Sequence, residues 1–256
     1  MDITNPNPPS LPPIIPKYPA ESLLHPLGAT EEERSPIPNL VTTVEAILRQ
    51  PRRLMYQLRQ PAAGPLIARM LAVSIFCSLI YGVVIGTFSM GTQLWAAPLK
   101  VAGGLLVCGL ICLPSLYIFA CLSGSDARLA EVFGLVCGLL MLMTILMIGF
   151  APVAWLFSQS TKSVVWMGAL HLMFWGIATI FGLRFMDAGF SHFRARTMAG
   201  FNTWVIIFVL VVLQMTTALR PIVGKADHFF PAEKQFFLSH WSEFLSADKP
   251  GNPAVP

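Results

Sequence analysis

Residues 129–157 read LAEVFGLVCGLLMLMTILMIGFAPVAWLF, and their only charged side chain is Glu131, at the start. A hydrocarbon core about 30 Å thick is crossed by about 20 mostly apolar residues in an α-helix. Only a structure that satisfies its own backbone hydrogen bonds is stable there, so this run predicts a transmembrane helix. The run is longer than the minimum, which predicts a tilt or a bend at Pro152.

Four further runs have the same character, and the whole chain is 55% hydrophobic and 12% charged. That composition is unsuited to a water-soluble surface. The five predicted spans are 66–90, 101–122, 129–157, 164–186 and 201–219. The loops between them are short, so consecutive helices should be antiparallel neighbours. The predicted fold class is therefore an all-α integral membrane protein, a compact bundle of five transmembrane helices with flanking amphipathic helices, in which 61–220 form the membrane domain.

Orientation follows from the distribution of Lys and Arg, which concentrate on the cytoplasmic side of membrane proteins. With five spans, 11 of the 17 basic residues lie on the side of the N-terminus and 6 on the other. The prediction is a cytoplasmic N-terminus and an external C-terminus.

The segments that precede the first span are of two kinds. Residues 1–40 are rich in proline and are predicted to be a disordered cytoplasmic segment. Residues 41–60 are basic and amphipathic, and Pro51 should divide them into two short helices. We expect the segment to lie on the cytoplasmic leaflet, with anionic lipid attracting its arginines; the alternative is a connector packed on its own bundle. The arginines in question are Arg49, Arg52, Arg53 and Arg59.

Residues 221–256 are predicted to be an external tail. Within it, aromatic residues recur at helical spacing from Pro231 onward, and Trp241 lies on their shared face. The aromatic stretch has only about fourteen residues, which is too short to span a bilayer, so it predicts an interfacial helix.

Small residues repeat every four positions in the first span, which places them on one helix face. Close packing at such faces drives helix association in lipid. Two interpretations follow: packing inside the chain's own bundle, which every polytopic protein needs, or an interface with a second copy or another protein. The predicted packing residues are Ser74, Ser78, Gly82 and Gly86 in the first span, and Gly134 and Gly138 in the third.

His171 is the one readily titratable side chain that lies well inside a predicted span. An ionisable group in the membrane is a candidate for function. The alternative is a neutral histidine with a structural role, hydrogen-bonded to a serine, a threonine or a backbone carbonyl of a neighbouring helix. The partners that we considered are Thr144, Gln214, Asn202 and Ser115.

Known catalytic signatures are missing from the sequence, which contains no nucleophile elbow, zinc-protease motif or phosphate-binding loop. The five cysteines lie in apolar runs, where cysteine acts as a small hydrophobe. We therefore expect a protein that is not an enzyme and has no cofactor or metal, no nucleic-acid partner and no small-molecule substrate. The expected partners are the lipid bilayer and a membrane protein, either a second copy or another chain.

Five short motifs carry a family resemblance: ILRQPRRLMYQL (47–58), YGVVIG (81–86), APLK (97–100) before the second span, LPSLYIF (113–119) and GFAPVAWLF (149–157). Over about residues 41–220 the chain resembles the Yip family of membrane proteins, particularly its bacterial relatives. In eukaryotes that family is linked to Golgi and endoplasmic-reticulum membranes, Rab-type GTPases and membrane shaping. The resemblance implies a bacterial inner membrane protein that organises, anchors or accompanies other membrane components. The alternatives are a small transporter or channel, and an accessory subunit of a larger membrane complex.

Overall fold

The computed structural model describes residues 26–89, 91–161, 163–192 and 199–219. This part of the chain contains eight α-helices and no β-strand. The helices are α1 (Glu31–Arg34), α2 (Leu40–Arg49), α3 (Pro51–Leu58), α4 (Gly64–Ser89), α5 (Gln93–Leu122), α6 (Leu129–Ser160), α7 (Val164–Ser191) and α8 (Ala199–Ala218). The prediction of an all-α bundle is confirmed.

Five of these helices, α4 to α8, are long and apolar enough to cross a membrane. The chain is an integral membrane protein, and its described residues contain the five spans that the sequence predicted. Each of these helices runs past its predicted limit at one end, because helical structure continues beyond the hydrocarbon boundary, where polar residues are tolerated.

The start of the second span differs most from the prediction. The sequence placed Lys100 in the loop before that span, whereas α5 begins at Gln93 and includes Pro98 and Lys100. Lys100 is buried, with 2% of its surface exposed. Proline this close to a helix start removes one intrahelical hydrogen bond without ending the helix, so α5 continues through Pro98.

Helix α6 is the centre of the bundle, and a larger share of its residues is buried than in any other of the five long helices. It packs between α4 and α7, while α5 lies against α4. Helix α8 packs mainly on α5 rather than on its neighbour in sequence, α7, which differs from the expected sequential order. Trp204 contributes to this contact, because its indole Nε1 donates to the carbonyl of Cys112 in α5 at 2.9 Å.

Helices α1 to α3, with the turn that precedes them and the residue that follows them, form a cap over one end of the bundle; we define the cap as residues 26–59. Helix α2 ends at Arg49 and α3 begins at Pro51, where the sequence placed the break. Disorder was expected for residues 1–40, but residues 26–40 contain α1 and the buried side chain of Ile37. Residues 1–25 lie outside the described part of the chain. Proline-rich composition did not reveal the contacts that order residues 26–40.

Candidate functional site

The small-residue face of the first span is filled by the chain itself. Gly82 is so close to α5 that an added Cβ would lie 2.8 Å from the backbone nitrogen of Pro98 and against its Cα. A Cβ on Gly86 would lie 2.8 Å from the carbonyl oxygen of Gln93. Ser74 and Ser78, on the same face, are buried. This face therefore packs inside the bundle and is not available to a second copy.

The glycines of α6 serve the same purpose. A Cβ on Gly134 would lie 2.7 Å from Leu58 of the cap, and one on Gly138 would lie 2.5 Å from the ring of Phe185 in α7. Gly134 thus gives the cap its closest approach to the central helix, and Gly138 allows α6 and α7 to approach each other.

Buried hydroxyl groups in the spans bond to their own helices. Ser74 donates to the carbonyl of Met70 at 2.8 Å, and Thr144 donates to the carbonyls of Leu140 and Met141 at 3.0 Å. Such bonds satisfy a hydroxyl group without a neighbouring helix.

His171 lies 5% exposed in α7, and its Nδ1 is 2.8 Å from the hydroxyl of Tyr81 in α4. The expected interhelical hydrogen bond is present, but none of the four partners considered from the sequence makes it. The positions of the two residues indicate that they can pair. Tyr81 stands eight residues before the end of α4 and His171 seven residues after the start of α7, so the two side chains lie at the same depth. His171 Nε2 is buried and has no hydrogen-bond partner among the described residues.

Replacement of His171 by Gln is expected to leave the protein folded. The amide oxygen of Gln can accept from the Tyr81 hydroxyl, and interhelical hydrogen bonds in membranes contribute only about 0.6 kcal/mol on average. The midpoint of unfolding in mild detergent measures the effect, with Tyr81→Phe as the variant that removes the same bond from the other side. A folded His171→Gln protein that has lost its cellular role would instead assign His171 a function.

The cap is held together by guanidinium groups. Arg52 in α3 pairs with Glu33 in α1 through Nε and Oε1 at 2.6 Å, and Glu33 also accepts from the backbone N–H of Gly28 at 2.6 Å. Arg53 donates to the carbonyls of Ser35 and Pro36 at 3.1 and 2.7 Å. Backbone carbonyls that lack secondary-structure partners need donors, and these arginines supply them.

Two more arginines connect the cap to the bundle. Arg69, in the second turn of α4, donates to the carbonyls of Ile37 and Pro38, both at 2.7 Å. Arg59 donates to the carbonyl of His192 at 3.2 Å and lies 3.7 Å from Asp126. His192 ends α7 and Asp126 follows α5, so both of these helices end beside the cap, as antiparallel packing requires.

Neighbouring charges shift the pKa values of Glu33 and His192. The hydrogen bond from Arg52 lowers the pKa of Glu33, outweighing the burial that would raise it. Burial lowers the pKa of His192, and the positive charges of Arg52 and Arg59 add to the effect. At neutral pH, Glu33 is therefore the anion at the centre of the cap.

The four arginines predicted to meet lipid have different environments. The side chain of Arg49 is 79% exposed and lies 3.5 Å from Glu45. Arg52 and Arg53 contact other residues of the cap, and Arg59 contacts residues that follow α5 and α7, as described above. Trp241 and its predicted interfacial helix lie outside the described residues.

Within the described ranges, no group of three or more His, Cys, Asp or Glu side chains is arranged to hold a metal ion. The five cysteines are free thiols. Comparison with known proteins found no matching family model, no matching curated protein and no matching solved structure.

Proposed function

We propose that this chain is a non-enzymatic membrane protein that organises, anchors or accompanies other membrane components. The observation that carries the proposal is the attachment of the cap: Arg59 and Arg69 fix it to the bundle, and Arg52 and Arg53 hold its parts together. A bundle with such a cap presents a rigid surface at one face of the membrane, which is what an anchoring protein needs for a partner.

The surface of the cap is suited to recognition. Glu31, Glu32 and Arg34 of α1 are exposed, although Glu33 between them is buried. Surface charges guide association and select partners more than they add affinity. The Yip-like motifs favour a bacterial inner membrane location. The excess of Lys and Arg on the side of the N-terminus favours a cap on the cytoplasmic side.

Burial of Lys100 and His171 in two spans favours a second candidate, a small transporter or channel. Ionisable groups at this depth often mark solute or proton paths. Against it, the buried hydroxyl groups Ser74, Ser78 and Thr144 bond to their own helices, so they do not line a polar path. An accessory-subunit role is compatible with the anchoring proposal, because it differs only in the identity of the partner.

The proposal is tested by the size of the native assembly. Membranes of the source cell are extracted with mild detergent, and the chain is compared with Glu33→Gln, which weakens the cap, and Glu32→Gln, its exposed neighbour. We expect the wild type and Glu32→Gln to migrate in an assembly larger than the purified chain, and Glu33→Gln to be depleted from it.

A parallel flux assay separates the two candidates. In proteoliposomes the purified chain should show no ion or solute flux above that of empty vesicles. A monomer in native extracts together with saturable flux in vesicles would replace the anchoring proposal with the transporter.

A further inference from the structure

Helix α2 has three faces with different environments. Thr43, Ala46 and Ile47 are buried against the bundle. Glu45 and Arg49 are polar and exposed. The remaining face is apolar, yet Leu40, Val41 and Leu48 are 49%, 78% and 50% exposed.

The geometry of these faces is that of a helix lying at a membrane surface beside a protein. With 3.6 residues per turn, the centres of the buried, apolar and polar faces are about 120° apart. A helix in that position needs one face for the protein, one for lipid and one for water, whereas a cap helix surrounded by water needs only two. Val44 lies between Leu40 and Leu48 on the apolar face and lines the same shallow groove as Val41 and Leu48.

The depth of α2 agrees with this assignment. Its preceding residues Ile37 and Pro38 bond to Arg69, which is five residues past the start of α4, or about 7.5 Å along its axis. Side chains of a helix point toward its N-terminus, so the two carbonyls lie level with the first turns of α4. The span has 26 residues, a few more than the hydrocarbon core requires, and we place its first turns in the headgroup region.

We propose that α2 is an interfacial helix that inserts Leu40, Val41, Val44 and Leu48 into the leaflet on the side of the cap, with Arg49 at the level of the lipid phosphates. The occupant of the exposed apolar face is lipid, because α2 packs on α4, a helix that can cross a membrane and in which Ala68, Ala72 and Phe76 are exposed. The high exposure of the Arg49 side chain leaves its charge available to a phosphate group. This inference does not depend on the anchoring function.

Photocrosslinking tests the inference with the full chain and its native cysteines. The residue p-benzoylphenylalanine replaces Leu40 in one variant and Glu45, about 140° around the helix, in a matched control on the polar face. Each protein is purified into nanodiscs of phosphatidylcholine and phosphatidylglycerol, irradiated, and weighed intact by mass spectrometry. We expect a phospholipid adduct at position 40 and none at position 45.

Three results would overturn the proposal. Equal adducts at both positions would show that the helix does not orient its apolar face toward lipid. Internal crosslinks at position 40 would mean that the chain itself covers the face, and crosslinks there to a second protein would make the face a protein interface. Size-exclusion profiles identical to that of the wild type establish that both variants are folded.

Discussion

Gly82→Leu is expected to prevent the bundle from assembling. At this position α4 approaches the backbone of α5, and a Cβ would already meet the Cα and nitrogen of Pro98. A flexible side chain can move aside, but a backbone within a helix cannot do so without separating the two helices. Overpacking typically costs 1–3 kcal/mol, and we expect about 3 kcal/mol or more here because backbone atoms are involved. Unfolding in mild detergent by titration with a denaturing detergent measures the loss.

Gly103→Leu is the matched control. It makes the same substitution in a membrane helix, α5, at a glycine whose Cβ would have no neighbour within 4 Å. Replacing glycine in a helix improves helix propensity by up to about 1 kcal/mol, and this gain is shared by both variants. Similar stability of the two proteins would refute the close packing of α4 on α5.

Glu33→Gln is expected to open the cap without unfolding the spans. The substitution removes the negative charge that holds Arg52 at 2.6 Å, and hydrogen bonds to charged groups contribute about 1.5–3 kcal/mol. Because 1.4 kcal/mol corresponds to a factor of ten, the opened population should rise roughly tenfold to a hundredfold. Tryptic cleavage after Arg34, which requires local opening of the cap, should accelerate by that factor in nanodiscs.

Glu32→Gln serves as the control, because Glu32 is the exposed neighbour of Glu33 and loses the same charge. Its cleavage rate should equal that of the wild type. If both variants were cleaved at the wild-type rate, the contact between Glu33 and Arg52 would not hold the cap closed.

Acid should open the cap of the unmodified chain, as Glu33→Gln is expected to do. The pKa of Glu33 is lowered in the folded protein, so the carboxylate stabilises the cap at neutral pH, above its ordinary pKa. That contribution is lost as the pH falls through the lowered value. Hydrogen exchange of residues 26–36, corrected for the intrinsic effect of pH, should therefore accelerate in acid for the wild type and much less for Glu33→Gln.

The membrane domain could be predicted from the sequence because its cause is local. A run such as 129–157 has no stable form in lipid other than a helix, whatever surrounds it. The spacing of Ser74, Ser78, Gly82 and Gly86 likewise reveals a packing face. Which helix fills that face depends on the arrangement of the whole bundle, and the sequence left both interpretations open.

The cap and the Tyr81–His171 pair could not be predicted in the same way. Arg53 and Arg69 bond to backbone carbonyls of residues 35–38, and a carbonyl acceptor has no signature in sequence. Residues 26–40 were therefore assigned to disorder on composition alone. Tyr81 was overlooked because it lies in an apolar motif. Its partner, His171, lies 90 positions further along the sequence in another helix.

The five-span arrangement with the cap on the cytoplasmic side is tested most directly by topology reporters inserted into the loops. Alkaline phosphatase, active only outside the cytoplasm, and green fluorescent protein, fluorescent only inside, are placed after Gly91, Gly124, Thr161 and His192, and after Pro256 at the C-terminus. We predict external signals after Gly91, Thr161 and Pro256, and cytoplasmic signals after Gly124 and His192. The reverse pattern would contradict the orientation, and the same signal from two successive loops would contradict the span between them.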